Sequence, residues 1–519
     1  MVTMKVLFTL LLLCMSSAWA YKILFVFPAA TRSNDVLGKG VVWALLKAGH
    51  EVTWAATYKQ ESHPNLTVID LPEAKKIVDS FDPMQMANTN NISMSFMKQH
   101  TLRICTATAQ NAELRRVVVE KQFDAVVTTY YLNDYDAGYA AIQQVPWILF
   151  STVNYHPMLE ILMDEVRSIP TTPIILNECD TPMSLPRRWF NGLVYMALTV
   201  YSWYDQPNKV AQYESMFSEL AAKRGVPLPP FHEAQHNVSI LLVNSHESLQ
   251  YGYNSPPNVI NIAGYHISEH LAPLPKDLQE LMDKSTNGVI FFSMGSILRA
   301  TGLDPKKRDA LVRMFGKLPY TVLWKYEEPL ENLPPNVHVR PWLPQPTILA
   351  HKNTVAFITH GGQSSTVEAI NAGMPVVVVP VGGDQPANAD RAVRMGFAVK
   401  VDYYKDTLAD DLEEAVKELL GDEKYRTKAK FLSKLFRTRP VPPAKLIPFY
   451  VELAIETKGA YHLRSLSLQY SWYERWMLDF VLALLGVLAA LAWLVTLAVR
   501  TCVRRFSGKK KTSSKKKKQ

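Results

Sequence analysis

The sequence predicts an α/β protein with two doubly wound domains of parallel strands, and three observations lead to this prediction. The chain has 519 residues, which is too long for a single hydrophobic core. Strand–helix–strand patterns begin at residue 21 and begin again near residue 289, on either side of a proline-containing stretch. The composition, 48% hydrophobic and 20% charged, is that of a globular chain and excludes disordered, collagen-like and coiled-coil proteins.

The first residues have the pattern of a secretory signal peptide. Lys5 precedes an apolar run over residues 6–14, and residues 18–20 (AWA) have the small-x-small form of a cleavage site. We therefore predict a signal peptide over residues 1–20 and a mature chain that begins near Tyr21.

The first domain opens with a strand, a helix and a second strand. Residues 21–28 (YKILFVFP) form a β-branched and aromatic run, residues 37–47 have helical spacing after a polar loop, and residues 49–54 predict the next strand. Residues 123–129 and 146–151 predict further buried strands of the same sheet.

Residues 187–204 are rich in aromatic and aliphatic side chains. We interpret this segment as ordinary core. A surface against a membrane and the wall of an acceptor pocket are the alternatives.

The second domain repeats the pattern after residue 273. A proline-containing stretch (APLP) leads to a helix over residues 277–284, and residues 289–294 (VIFFSM) begin a new series of strands. Further strands are predicted at residues 321–325, 355–359 and 376–380. We assign residues 21–272 to the N-terminal domain and residues 273–470, with closing helices, to the C-terminal domain; open α/β sheets of this kind bind ligands in the cleft at their strand ends.

Residues 480–499 contain no charge and, as a helix, would span roughly 30 Å, the thickness of a bilayer core. Three arginines follow closely, so we predict one transmembrane helix, a lumenal body and a cytosolic basic tail over residues 500–519. The last residues (KKKKQ) resemble the dilysine retrieval signal of endoplasmic-reticulum membrane proteins. The expected location is therefore the endoplasmic-reticulum membrane.

The formal net charge of +9 comes from the tail, where 10 lysines and arginines lie without an acid. The rest of the chain is close to neutral, so its charge gives no reason to expect a nucleic-acid partner. Of the four cysteines, only Cys105 and Cys179 are expected in the lumen, where one disulfide between them is an open question. Glycosylation sequons begin at Asn65, Asn91 and Asn237.

One segment carries most of the chemical information. A buried strand ends at His360, two glycines allow close approach of a ligand to the backbone, and a helix is expected to open at Ser364. The N-terminus of that helix offers free N–H groups and a positive dipole end to a phosphate. Glu368 lies one turn further on the same face, where its carboxylate can accept both hydroxyls of a ribose.

The His-Gly-Gly turn, the Glu eight residues after the His, and the Asp-Gln pair after the next strand resemble the signature of the UDP-glycosyltransferase family. The resemblance covers essentially the whole chain and is greatest to membrane-bound insect members. It implies the GT-B fold, a UDP-sugar as co-substrate, no other cofactor, and sugar transfer with inversion and without an obligatory catalytic metal.

The resemblance also implies roles for individual donor-site residues. Trp342 would stack on uracil, Gln345 would bond the uridine, and Glu368 would bind the ribose. The diphosphate would be surrounded by Ser296, His360, Gly362, Ser364 and Ser365. The sugar hydroxyls would be held by Asp384 and Gln385.

The catalytic half departs from the family pattern. The family's general-base histidine lies six residues after the proline that corresponds to Pro28, and here that position is Asn34. The acid that orients the histidine lies six residues after the position of Phe123, and here it is Thr129. An amide cannot take a proton near neutral pH. General base catalysis, which usually supplies roughly 10²–10⁴-fold in rate, is therefore missing at this position.

Three interpretations remain open. The enzyme acts on acceptors that need little deprotonation, another residue serves as base, or the protein binds a UDP-sugar without turnover and modulates active family members. Candidate substitutes for the base are Asp35, Asp134 and His156, for which a structural role is the alternative. We expect a transferase that conjugates glucose from UDP-glucose to small lipophilic acceptors and that associates with itself or with family members.

Overall fold

The computed structural model describes residues 20–28, 31–81, 94–163, 169–170, 182–249, 255–268, 270–296, 298 and 300–515. The signal-peptide prediction, the Asn91 sequon, Cys179 and the last four residues lie outside these ranges. Cys105 is buried and free.

Two parallel sheets form the body of the protein, as the sequence predicts. The first sheet has the strand order β3-β2-β1-β4-β5-β6-β7 and the second has the order β10-β9-β8-β11-β12-β13. The strands of the first sheet are β1 Lys22–Phe27, β2 Glu51–Ala56, β3 Leu66–Asp70, β4 Ala125–Thr129, β5 Trp147–Ser151, β6 Val238–Val243 and β7 Val259–Asn261. Those of the second are β8 Val289–Ser293, β9 Thr321–Lys325, β10 Val337–Arg340, β11 Thr354–Thr359, β12 Val376–Val378 and β13 Ala398–Lys400.

Helices cover the faces of both sheets, which is why the central strands are apolar at nearly every position. In the N-terminal half they are α1 Arg32–Lys47, α2 Pro72–Asp79, α3 Met94–Ala109, α4 Ala112–Glu120, α5 Ala137–Gln143, α6 Pro157–Met163, α7 Leu185–Arg224 and α8 Phe231–Gln235. In the C-terminal half they are α9 Lys276–Lys284, α10 Pro305–Lys317, α11 Gln345–Ala350, α12 Gln363–Ala372, α13 Gln385–Arg394, α14 Leu408–Gly421, α15 Glu423–Arg437 and α16 Pro443–Glu456.

The first helix begins at Arg32, five residues before the predicted start, because the polar residues after the first strand form its first turns. Asn34 and Asp35 therefore lie on a helix rather than in a loop.

Helix α16 returns to the first sheet. Ile447, Val451 and Ala454 are fully buried in the core that contains Ile23 and Phe25 of β1. On the same side, His50 Nε2 lies 3.0 Å from Glu452 Oε1. His50 is buried here, which indicates a structural role.

Among the described residues, 465–515 form a second compact unit. It contains the short helix α17 Trp472–Arg475 and the long helix α18 Leu478–Lys515. Within α18, Leu478–Phe506 is long enough to cross a membrane, and an 18-residue stretch of it has a mean hydropathy of 2.6.

Candidate active site

The two sheets present their switch points to each other. In each sheet the strand order reverses between the first strand and the fourth, and ligands bind outside the strand ends at such a point. The backbone N–H of Ser33, just after β1, donates a 3.0 Å hydrogen bond to Ser296 Oγ, just after β8. A cavity of about 720 Å³ lies here, and its lining includes Asn34, His100, Tyr131, Ser296, Lys325 and Trp342.

On the side of the second sheet, β11 ends in a tight turn into α12. Gly361 has φ +82°, and a Cβ there would lie 2.6 Å from Val378 Cγ1, so a side chain is excluded. Gly362 is the N-cap of α12, which begins at Gln363, one residue before the predicted start. The first-turn N–H groups of α12 therefore point toward the strand ends, where they can bind an anion.

The His360 side chain is packed between two glycines. A Cβ on Gly295 would lie 2.6 Å from His360 Cε1, and a Cβ on Gly362 would lie 2.5 Å from His360 Nε2. Burial, together with the nearby Lys325 ammonium, lowers the pKa of His360 to about 4. The imidazole is thus neutral at pH 7 and carries one N–H donor.

Lys325 is a cation that the motif comparison did not single out. It ends strand β9, is only 8% exposed, and donates to Gly295 O at 2.7 Å and to Glu327 Oε1 at 3.0 Å. Its Nζ also lies 5.8 Å from the ring centroid of Trp342. The sequence signal that could have indicated Lys325 is a single charged residue at the end of a mostly apolar strand (TVLWK).

Trp342 is half-exposed, with 49% of its surface accessible, in the segment between β10 and α11. An aromatic face that stays open beside the cavity is suited to stacking on a flat ligand ring.

Gln345, Ser365 and Glu368 form one hydrogen-bonded group. Gln345 Nε2 donates to Glu368 Oε2 at 2.8 Å and to Ser365 Oγ at 3.1 Å. The buried imidazole of His266 lies 3.4 Å from Glu368 Oε1. These contacts hold the carboxylate in one orientation, with one neutral donor and one imidazole beside it.

Asp384 and Gln385 begin helix α13. Gln385 Oε1 accepts from the backbone N–H groups of Val381 and Gly382 at 2.8 and 3.1 Å, and its amide nitrogen donates to none of the described residues. Asp384 Oδ2 accepts from Asn388 Nδ2 at 2.7 Å, and Asn388 also donates to Gly361 O at 3.0 Å. Burial raises the pKa of Asp384.

Gln363 links the turn after β11 to the first sheet. Its amide exchanges two hydrogen bonds, of 2.7 and 2.8 Å, with the amide of Asn154, which follows β5. Gln363 Nε2 also donates to Asn244 O, after β6, at 2.7 Å. The sequence offered no pattern for this connection.

On the side of the first sheet, no hydrogen bond joins Asn34 to the Thr129 hydroxyl. Asn34 Nδ2 donates to the Tyr131 hydroxyl, which lies 2.9 Å from Thr152 Oγ1. Burial raises the pKa of Tyr131 to about 12, so its hydroxyl is neutral. Thr129 is 1% exposed, and its Oγ1 is buried with no hydrogen-bond partner among the described residues.

The three candidate substitutes for the base lie elsewhere. Asp35 accepts from Gln60 Nε2 at 2.8 Å, and burial raises its pKa. Asp134 is paired with Lys209 at 2.9 Å on the side of α7. Burial lowers the pKa of His156 to about 4, and its ring lies beside Tyr130. None of the three is among the described residues that line the cavity.

His100 is an imidazole in the cavity lining that sequence reasoning missed. It lies on α3 against the rings of Phe81 and Phe96, with centroid distances of 4.9 and 5.9 Å. Burial, aided by Arg103, lowers its pKa, so it is neutral at pH 7 and has a free lone pair.

Over the described part of the chain, no group of three or more His, Cys, Asp or Glu side chains is placed to hold a metal ion. The polar groups in and beside the cavity are instead a cation, a helix N-terminus, hydroxyls and carboxylates. Together they can bind a phosphate-bearing ligand with a ribose and a flat base.

Comparison with known proteins agrees with this chemistry. Residues 34–513 match the family model described as UDP-glucoronosyl and UDP-glucosyl transferase. The chain is 30% identical to UDP-glucosyltransferase 2 of Dactylopius coccus over 97% of both chains. It is 24% identical to UDP-glucuronosyltransferase 2B7 of Homo sapiens over 96% of this chain and 99% of that one.

Solved structures support the same fold at lower identity. The glycotransferase of kitacinnamycin superposes with a TM-score of 0.55 at 20% identity, over 85% of this chain and 99% of that one. The calicheamicin glycosyltransferase CalG4 gives a TM-score of 0.53 at 18% identity, over 84% and 99%. The likeness establishes the two-sheet GT-B architecture.

Proposed function

Because this chain belongs to the UDP-glucuronosyl and UDP-glucosyl transferase family and is a glycosyltransferase, we propose that it conjugates a hexose, glucose from UDP-glucose, to small lipophilic acceptors. The observation that carries the proposal is the single cavity that Asn34 and Tyr131 line from the N-terminal half and Ser296, Lys325 and Trp342 line from the C-terminal half. Residues 21–272 would bind the acceptor and residues 273–470 the UDP-sugar.

We assign the UDP contacts as follows. Trp342 stacks on uracil, Gln345 contacts the uridine, and the carboxylate of Glu368 accepts both ribose hydroxyls. The diphosphate binds at the start of α12, and its site consists of Ser296, His360, Gly362, Ser364 and Ser365. Asp384 and Gln385 hold the sugar hydroxyls; the amide nitrogen of Gln385, which donates to none of the described residues, supports this role.

Transfer would proceed in one displacement with inversion. The acceptor atom attacks the anomeric carbon from the side of the first sheet, and the bond to the UDP oxygen breaks as negative charge develops on the diphosphate. The start of α12, the N–H of neutral His360 and the Lys325 ammonium stabilise that charge. Lys325 is the fixed positive charge of this group.

The acceptor proton has no imidazole at position 34 to receive it. Asn34 can hydrogen-bond and position an acceptor, with Tyr131 fixing its amide. We therefore propose a preference for acceptors that need little help from a base. Amines attack through a neutral lone pair and release their proton to solvent afterwards, whereas thiols and acidic phenols lose theirs to solvent readily. Asn34 and Thr129 also support a second candidate function, a UDP-sugar-binding protein with impaired catalysis that associates with active relatives.

We propose that the protein resides in the endoplasmic-reticulum membrane, anchored by the apolar part of α18 with a lumenal body and a cytosolic tail. There it would conjugate foreign or endogenous lipophilic compounds, a detoxification role. The lysines at positions 516 and 517 would provide the retrieval signal. Changing both to serine should release the protein from the reticulum while it stays in membranes, and an unchanged location would contradict this signal.

The test of the function uses full-length protein in detergent. UDP-glucose and UDP-glucuronic acid are offered with one amine, thiol, phenol and alcohol acceptor each, and products are identified by mass spectrometry. UDP binding is measured in parallel by calorimetry. Product with any acceptor supports the transferase; UDP binding without product supports the impaired homologue; absence of UDP binding contradicts both.

A further inference from the structure

The first half of helix α7 presents a continuous apolar face to the outside of the body. Trp189, Leu193, Met196, Val200 and Trp203 follow one another at intervals of three or four residues, which places them on one side of the helix. Their exposed fractions lie between 58% and 67%. A second exposed row beside them consists of Phe190, Tyr201 and Tyr204. We call these residues the outer face of α7.

The opposite side of the same helix is more polar and is buried. Asn191 is 1% exposed and its amide donates to Ile169 O at 2.8 Å. Asp205 is 6% exposed and is paired with Lys98 of α3. A helix on the surface of a water-soluble domain has the reverse arrangement, with its apolar side inward. The interpretation of residues 187–204 as ordinary core is therefore wrong, and the outer face of α7 needs an apolar neighbour.

The residue types on this face fit a lipid bilayer. Between Leu185 and Tyr204 there is no acidic residue, and Arg187 and Arg188 supply positive charge at one end. Trp and Tyr side chains are the aromatic residues that favour the membrane interface, and basic residues beside them contact anionic headgroups. The chain also carries a helix, Leu478–Phe506, that is apolar and long enough to cross a membrane.

We propose that the outer face of α7 lies in the interface of the bilayer, as a second membrane contact of the protein. The apolar side chains enter the boundary between headgroups and acyl chains. Arg187 and Arg188 lie among the phosphates, and the buried contacts of Asn191 and Asp205 keep the polar side of the helix against the body.

The test uses the full chain in nanodiscs of phosphatidylcholine and phosphatidylserine that contain a lipid with a photoactivatable diazirine near its carbonyl. After irradiation, lipid adducts are mapped by mass spectrometry. We expect adducts on peptides from residues 185–204 at least tenfold above those on the peptides that contain Tyr404 or Phe431, which are similarly exposed at 51% and 50%. Nanodiscs without phosphatidylserine should lower the α7 adducts at least threefold.

Variants provide the matched comparison. Leu193→Gln with Val200→Gln should lower the α7 adducts at least fivefold, whereas Phe431→Gln should leave them unchanged. A melting temperature in detergent within a few degrees of wild type shows that a variant folds. If a variant does not fold, the adduct map of the wild-type protein alone tests the membrane contact. Adducts confined to the helix of residues 478–506, or cross-links between two copies through α7 without lipid adducts, would overturn the proposal.

Discussion

Restoring the missing imidazole and carboxylate is the most informative change to the acceptor side. In the present chain, Asn34 Nδ2 donates to the neutral hydroxyl of Tyr131, and Thr129 is buried without a partner for its Oγ1 among the described residues. Asn34→His places an imidazole at the start of α1, and Thr129→Asp places a carboxylate at the end of β4. We expect the double variant to transfer sugar to aliphatic alcohols at least tenfold faster than wild type.

The size of the effect follows from two opposing terms. A positioned general base is worth roughly 10²–10⁴-fold, or about 3–5 kcal/mol of barrier. Against this, Thr129 is 1% exposed, so a carboxylate there loses its hydration, and its stabilisation depends on a hydrogen bond from the imidazole introduced at position 34. A tenfold net gain in rate requires that only about 1.4 kcal/mol of the barrier reduction remains after the cost of burying the carboxylate.

The single change Asn34→His should recover less. Its imidazole would meet the Tyr131 hydroxyl, which can fix its orientation but carries no charge because the pKa of Tyr131 is about 12. Adding Tyr131→Phe to Asn34→His should lower the alcohol rate further, since the remaining partner is then lost.

The assay measures initial rates with UDP-glucose at pH 7, with an aliphatic alcohol and an aromatic amine as acceptors and the glycoside quantified by mass spectrometry. The amine rate serves as the control, because it should change by less than threefold. Two results together would contradict the proposed effect of Asn34 and Thr129: wild-type protein that already glycosylates the alcohol as fast as the amine, and no gain in the double variant. His100 would then be the first position to substitute, since it is an imidazole in the cavity lining.

The donor side gives three further expectations. Glu368→Gln should weaken UDP binding roughly 10–100-fold in calorimetry, because charge-assisted hydrogen bonds contribute about 1.5–3 kcal/mol; unchanged affinity would exclude the ribose role. Lys325→Met should weaken it at least tenfold and Lys325→Arg less; equal effects would show that charge is unimportant. For His360, the folded pKa of about 4 lies below the unfolded value near 6.5, so the unfolded chain takes up the proton first and stability falls as pH drops from 6.5 toward 4, by at most about 3 kcal/mol. His360→Gln should flatten the pH dependence of the melting temperature between pH 6.5 and 4. If that dependence does not change, it comes from other titratable groups.

The sequence predicts the geometry of the turn after β11 well, because that geometry depends on local spacing. His360, the two glycines and Glu368 lie within one strand, one turn and one helix, so their order along the chain determines their geometry. The helix starts one residue early, at Gln363, because Gly362 already has the extended backbone of an N-cap.

Contacts between distant segments could not be predicted in the same way. The pairing of Gln363 with Asn154, and of Asn34 with Tyr131, depends on how two sheets meet, and isolated amides and phenols carry no periodic signal. The packing of α16 against the first sheet could not be predicted for the same reason, because any helix with an apolar face could fill that position.

Helix α7 shows a different limit of sequence patterns. Apolar residues at helical spacing indicate one buried face, yet the pattern does not say whether protein or lipid covers it. Only the burial of Asn191 and Asp205 on the opposite side identifies which face of α7 the body occupies.

The proposed function is tested most directly by the transfer of glucose from UDP-glucose by full-length wild-type protein to a matched series of acceptors. The series contains an aromatic amine, a thiol, an acidic phenol and an aliphatic alcohol of similar size, and the Glu368→Gln variant serves as the donor-site control. We expect glycoside formation with the first three acceptors, little with the alcohol, and a decrease of at least tenfold in the variant at low UDP-glucose. Glycoside formation that is equal for all four acceptors and unaffected by Glu368→Gln, or no product despite tight UDP binding, would contradict the proposed function.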